Sequence, residues 1–384
     1  MEFLLKYLKI EVKISSSSFS KNKVENKIAI YFGIFITIFC IVDLLIRGPL
    51  LFTNPSKYDT LSSTETYIRY ITIMCWSLIP ISFFCTENKP IKTIFFITAI
   101  LFPILVVDRN RFLSSMYAFS VVFIVLNKEK MKKENFVKFL KRITFFLILI
   151  STCSLMIFSF VGEKRSSIET LLFYQKKITK PLIDKDKYDK LKNINEKDMQ
   201  KLNIKGYIDN MPTPLKWLLI YSSASVFNFA AIQNIDYRDT DYLNYQLFRF
   251  FRHDIPVNRK ELTPKPIPFP PLSACTEFFP FFLYGGATFV MYAFLLIGII
   301  YFTFLNRLSK FPSSIFLLLG FLKMSYCCIT LSFGTQFFRL TNLVFLVLMI
   351  FMHKIANSRL LDPLLTSKGA LMDRTKPTDS GVHE

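Results

Sequence analysis

The chain has 384 residues, of which 52% are hydrophobic and 16% aromatic, with 43 Phe and a mean hydropathy of +0.36. That composition excludes a soluble domain with an ordinary polar surface and defines an integral membrane protein. A formal net charge of +20 would suit nucleic acid, but the basic residues fall mainly in short loops between apolar runs and in one long polar stretch. There they act as topology signals, and nucleic acid is not an expected partner.

Residues 1–27 come first. Within them, Phe3, Leu4, Leu5, Leu8 and Ile10 are mixed with Lys6, Lys9 and Lys13, an amphipathic, basic segment predicted to lie on the cytoplasmic membrane surface. No small-residue cleavage site follows a short apolar core, so the first span is expected to serve as an uncleaved anchor. Apolar runs then appear at 28–46, 67–84, 91–106, 112–126, 143–161, 278–305, 313–333 and 336–353. The predicted fold class is all-α: a polytopic integral membrane protein of about eight transmembrane helices, five within 28–161 and three within 278–353, with one long periplasmic loop at 162–277 and a cytoplasmic tail at 354–384.

Cys40, Cys75, Cys153, Cys327 and Cys328 lie inside these runs, Cys85 at the end of one, and Cys275 in a polar region. No disulfide framework or zinc spacing is offered, and neither metal nor cofactor is expected. Asp43 and Arg47 are four apart on one helix face and are predicted to pair.

Residues 91–126 are too long for one crossing and barely long enough for two, because a core of ~30 Å takes about 20 helical residues. They fit as a tight hairpin whose turn, Val107-Asp108-Arg109-Asn110-Arg111, sits at or just inside the membrane surface. Ionisable groups at that depth are costly and mark function by default. An arginine pair suits a bidentate anion, most simply phosphate or pyrophosphate. Asp108 can neutralise one of the two guanidinium groups, leaving the other for a ligand.

Orientation follows from lysine and arginine counts. Lys21, Lys23 and Lys27, then Lys89 and Lys92, then the seven basic residues of 127–142 alternate as inside loops; Arg307 and Lys310, and Lys354 and Arg359, continue the count. The result is N-in and C-in, with the Arg109 turn, 53–66 and 162–277 outside.

In the long outer stretch, residues 176–205 are rich in lysine, aspartate and asparagine and read as a solvated helix pair or loop. Residues 215–232 are apolar but carry Lys216, Ser222, Ser223, Ser225 and Asn228, as a buried helix or re-entrant segment would. A basic aromatic stretch follows, with Tyr237, Arg238, Asp239, Asp241 and Tyr242, then Phe248-Arg249-Phe250-Phe251-Arg252-His253. Its rings suit the apolar faces of sugars and its arginines lipid phosphates; the plainer reading is an interfacial aromatic belt with snorkelling arginines. The proline-rich 263–271 must run extended. Among the late helices, Lys323 stands at midspan, where a cavity or an ion pair is required. Arg339 stands near the outer end of the last run.

This arrangement resembles the O-antigen polymerases, or oligosaccharide repeat unit polymerases, of bacterial envelope polysaccharide synthesis. The resemblance rests on the multispanning Phe-, Ile- and Leu-rich chain, the arginine turn opening a short helix (Asp108 to Ser115), the outer segment Tyr221-Ser222-Ser223-Ala224-Ser225-Val226-Phe227-Asn228, and the return to the membrane through residues 278–286. The arginine-x10-glycine pattern of some members is absent. What the resemblance implies is glycosyl transfer in the bacterial inner membrane between two undecaprenyl-pyrophosphate-linked oligosaccharides, with membrane lipids and a chain-length regulator protein as further partners.

In such a reaction pyrophosphate leaves the anomeric carbon, and positioned cations can stabilise it without a nucleophilic triad. The candidate catalytic residues are Arg109, Arg111, Asp108 and His253, and the candidate substrate-binding residues are Arg238, Arg249, Arg252, Tyr221, Asn228 and Arg339. For the general base, Asp108, Asp239, Asp241, His253 and Asp254 all stay open. Two other classes compete: a metal-dependent glycosyltransferase using a polyprenyl-phosphate sugar, for which Asp239 and Asp241 would be the acid pair, and a flippase or transporter, which should show internal repeats that the chain lacks.

Overall fold

The computed structural model describes residues 22–52, 63–106, 108–131, 278–331 and 340–358, with short or isolated stretches elsewhere. Among the described residues its helices are α1 (Lys23–Arg47), α2 (Ser63–Thr72), α3 (Leu78–Phe84), α4 (Lys89–Leu105), α5 (Arg109–Met131), α6 (Phe279–Lys310), α7 (Ile315–Ile329) and α8 (Leu340–Ala356). Outside these, Thr179–Pro181 pairs in parallel with Lys265–Ile267, and the second of those segments belongs to the proline-rich stretch. The protein is otherwise helical among the described residues.

Local chemistry sets the helix starts. Asn22 caps α1 by accepting from the Glu25 amide at 3.1 Å, while its own amide nitrogen donates to the Glu25 carboxylate at 2.8 Å. The first of these bonds satisfies one of the amides that the first turn leaves open, and the second holds the capping side chain in place. Asn88 and Ser314 cap α4 and α7 by accepting from the Ile91 and Leu317 amides, and Pro90 stands in the first turn of α4, where a missing N–H costs nothing.

Two helices depart from the continuous runs of the sequence. Between α2 and α3 the chain tightens into a 3-10 turn at Ile73–Ser77. Pro80 explains this: it has no N–H for the carbonyl four residues back, and its ring crowds that carbonyl. In α6 the backbone breaks at Gly285 and Gly286, the latter at φ 70°, a conformation in which a Cβ would be strained.

Among the described residues, three helices are long and apolar enough to cross a membrane, at Lys23–Arg47, Asn110–Asn127 and Phe279–Lys310, with shorter apolar helices at Ile68–Phe84, Ile315–Ile329 and Thr341–Ala356. Their apolar surface points both ways. Leu78, Phe95, Phe102, Phe316 and Leu319 form the core, while Leu45, Leu295, Ile299 and Val347 are exposed. Helices apolar on all sides belong in lipid.

The elements run antiparallel between two ends. α1 begins where Glu25 meets Ser314 and ends where Asp43 meets Arg111. α2 and α3 return from Thr72 beside Asp43 to Phe84, and α4 climbs back until the Leu105 carbonyl accepts from the Leu51 amide. α5 descends from Arg111. In the last three helices, Phe281 of α6 packs on Phe338, Phe311 beyond its far end packs on His353, and α7 carries Tyr326 up to Asn110.

Candidate functional site

The α4–α5 turn falls where the sequence placed it, with α4 ending at Leu105 and α5 starting at Arg109. Asp108 caps α5: its Oδ1 accepts from the amides of Asn110 at 3.1 Å and Arg111 at 3.2 Å. Its other oxygen lies 3.0 Å from Arg111 Nε. A carboxylate at a helix N-terminus complements the helix dipole as well as the orphan amides.

Arg111 is 2% exposed and reaches across the turn into the bundle. Nη1 donates to the Thr72 hydroxyl at 2.8 Å and lies 3.9 Å from Asp43 Oδ2, while Nη2 donates to the Arg69 carbonyl at 3.2 Å. Thr72 in turn lies 3.3 Å from Asp43 Oδ2, and Asp43 pairs with Arg47. The Phe102 ring stands 5.5 Å from the guanidinium carbon. Two carboxylates and two guanidinium groups therefore balance, and a planar five-donor fork suits a partner set spread over three elements. Asp108, the one carboxylate that the sequence offered to the arginine turn, is joined at Arg111 by a second, Asp43.

One residue earlier, the Asn110 side chain accepts from the Tyr326 hydroxyl at 2.8 Å, which ties α7 to the first turn of α5. Ser114 donates to the Asn110 carbonyl at 2.8 Å, and the Tyr117 and Tyr326 rings lie 5.7 Å apart. Lys323, one turn back along α7, is 5% exposed with its ammonium 5.7 Å from the Tyr326 ring centre. Trp76, Ser114, Tyr117, Leu322, Lys323 and Tyr326 line a narrow cleft there.

At the opposite end, the Ser314 hydroxyl donates to Glu25 Oε1 at 2.5 Å and meets His353 Nδ1 at 2.8 Å. The Phe316 amide adds a donor to the same carboxylate oxygen at 3.2 Å. This network joins α1, α7 and α8.

Of the site residues expected from sequence, Asp108 and Arg111 come together as described, and Arg109 is the first residue of α5. Tyr221, Asn228, Arg238, Arg249, Arg252, His253 and Arg339 lie outside the described residues, as do Asp239, Asp241 and Asp254. Thr72, Asn110 and Tyr326, and the role of Asp43 toward Arg111, escaped the sequence reading. Their one signal is polarity inside or beside apolar runs.

Comparison of the chain with family models, with curated proteins and with solved structures finds no match in any of the three.

Proposed function

We propose that this chain is a polymerase of lipid-linked oligosaccharide repeat units, working in O-antigen or capsule synthesis in the bacterial inner membrane, N-in and C-in, with its chemistry on the periplasmic face. The observation that carries the reading is the Asp43–Arg111–Asp108 clamp, which fixes an arginine-bearing turn at one end of an apolar bundle. The directions of the described helices accord with eight spans: α5 starts at the Arg111 end, and α6 runs from Phe281 beside Phe338 to the end where Phe311 meets His353.

In this reading the two arginines divide their work. Residues two apart on a helix do not face the same way, and Arg111 has four partners in the bundle. Arg111 is a positioning residue; Arg109 is assigned to the lipid pyrophosphate, together with Arg238, Arg249, Arg252 and Arg339. The acceptor hydroxyl attacks the anomeric carbon, the bond from that carbon to pyrophosphate breaks, and pyrophosphate leaves with the electron pair, its charge met by guanidinium groups. The hydroxyl proton passes to a base among Asp108, Asp239, Asp241, His253 and Asp254.

The test is a pair of substitutions scored by chain-length ladders and by protein abundance in the membrane. Arg109→Ala should leave abundance normal and give acceptors bearing single repeat units. Arg111→Ala should lower abundance as well, because it strips the clamp. A normal ladder from Arg109→Ala would remove the turn from the chemistry.

A further inference from the structure

The clamp acts on Asp108 and Arg111; Arg109, between them, is held from a further direction. Both of its chain neighbours are fixed. The Asp108 amide donates to the Pro103 carbonyl at 2.9 Å, which closes the turn onto α4. Asn110 is held at three points: its amide donates to Asp108 Oδ1 at 3.1 Å, its carbonyl accepts from the Ser114 hydroxyl at 2.8 Å, and its side-chain oxygen accepts from the Tyr326 hydroxyl at 2.8 Å. The first two bonds lie within the opening turns of α5 and would form in any helix with this cap and a serine at that place. The third comes from α7, 216 residues away in sequence, and it sets where Asn110 stands against a neighbouring helix.

Tyr326 is suited to that task. It is 5% exposed, and a phenol has one donor, which inside an apolar bundle must find an acceptor. Its ring is held by the Tyr117 ring at 5.7 Å and by the Lys323 ammonium, 5.7 Å from the ring centre, a cation–π distance. α7 is a firm base for it, buried along most of its length and fixed at its start by the bond from Ser314 to Glu25. We infer that Tyr326 is a positioning residue for the arginine turn: through Asn110 it fixes the first turn of α5 against α7, and with it the place from which Arg109 is presented. A catalytic group displaced by ~1 Å can lose about a hundredfold in rate, so one hydrogen bond that sets the turn carries catalytic weight. The link to catalysis rests on the function proposed for the turn; the anchor rests on the contacts.

The test is Tyr326→Phe, which keeps the ring and removes the hydroxyl. Hydrogen exchange of the full-length protein in phosphatidylcholine nanodiscs, read by mass spectrometry, follows the amides of Asn110 and Arg111, which donate to Asp108. They should exchange about tenfold faster in the variant, the order of one hydrogen bond, while protection along α7 and abundance in the membrane stay as in the unmodified protein. Chain-length ladders should shorten toward single repeat units. Asn110→Ala should reproduce both effects, and Tyr326→Phe should add nothing to it, because the hydroxyl acts through that side chain. Asn110→Asp, whose carboxylate still accepts from Tyr326, should keep the turn protected. Unchanged exchange in Tyr326→Phe overturns the anchor, and additive effects of the two substitutions overturn the route through Asn110. Exchange that rises along α7 as well marks a general loosening and overturns the positioning role. So does faster exchange with a normal ladder from Tyr326→Phe where Arg109→Ala loses its ladder. Faster exchange combined with a normal ladder from Arg109→Ala keeps the anchor and discards the chemistry assigned to the turn.

Discussion

Replacing Asp43 by Asn tests the clamp most directly. The side chain is 1% exposed and touches Arg47, Arg111 at 3.9 Å and the Thr72 hydroxyl at 3.3 Å. Asn has the same shape and can still accept from Thr72, so the change isolates the charge and leaves one uncompensated positive charge in a buried cluster. Breaking a buried ion pair from one side costs about 3–5 kcal/mol, a drop of about two to four orders of magnitude in the ratio of folded to unfolded protein. The double variant Asp43→Asn/Arg47→Gln restores charge balance around Arg111 and Asp108, so its loss should be smaller than that of the single Asp43 variant. The assay is unfolding in detergent, by heat and by SDS titration, followed by helical circular dichroism. An unchanged midpoint for Asp43→Asn, or simple additivity in the double variant, would refute the view that these four charges act as a unit.

Gly320 of α7 allows α6 to come close: a Cβ there would stand 2.1 Å from Cε1 of Phe304. Gly320→Ala should therefore destabilise the bundle by about 1–3 kcal/mol, with partial recovery on adding Phe304→Leu; a midpoint unmoved by Gly320→Ala would show that the contact is soft. Topology reporters fused at Lys133 and after residue 358 should read cytoplasmic and one near Lys192 periplasmic, while a cytoplasmic signal at Lys192 would overturn the proposed placement. Arg249→Ala and Arg252→Ala should each cut polymer formation strongly, with Lys at either position restoring part, because a point charge does not reproduce a guanidinium fork; full activity in a well-expressed double Ala variant would move the phosphate contacts elsewhere.

The α4–α5 turn was legible in the sequence because Asp108, Arg109 and Arg111 cannot remain inside an apolar run, so the run must fold there. Asp43 and Arg47 were legible as an i,i+4 pair for an equally local reason. The rest of the clamp was not, since Thr72 and Arg111 are 39 residues apart and no periodicity encodes which helices become neighbours. A turn with two arginines and one acid looked short of negative charge; Asp43 of α1 supplies a second carboxylate and brings Arg47 with it, so the cluster around Arg111 balances without counting Arg109. The interruption after α2 and the break in α6 were present in the sequence as Pro80 and the Gly285-Gly286 pair, but the hydrophobic runs masked both.

The two polar networks of α1 give the protein an internal ruler. Glu25, held by Ser314 and the Phe316 amide, and Asp43, held by Arg111 and Thr72, are eighteen residues apart on one helix. At about 1.5 Å per residue they stand roughly 27 Å apart, slightly less than a hydrocarbon core of ~30 Å. Buried charge at both limits fixes α1 against sliding along its axis, so the apolar thickness the protein presents is set from within. A thicker bilayer around such a helix must then thin to match it.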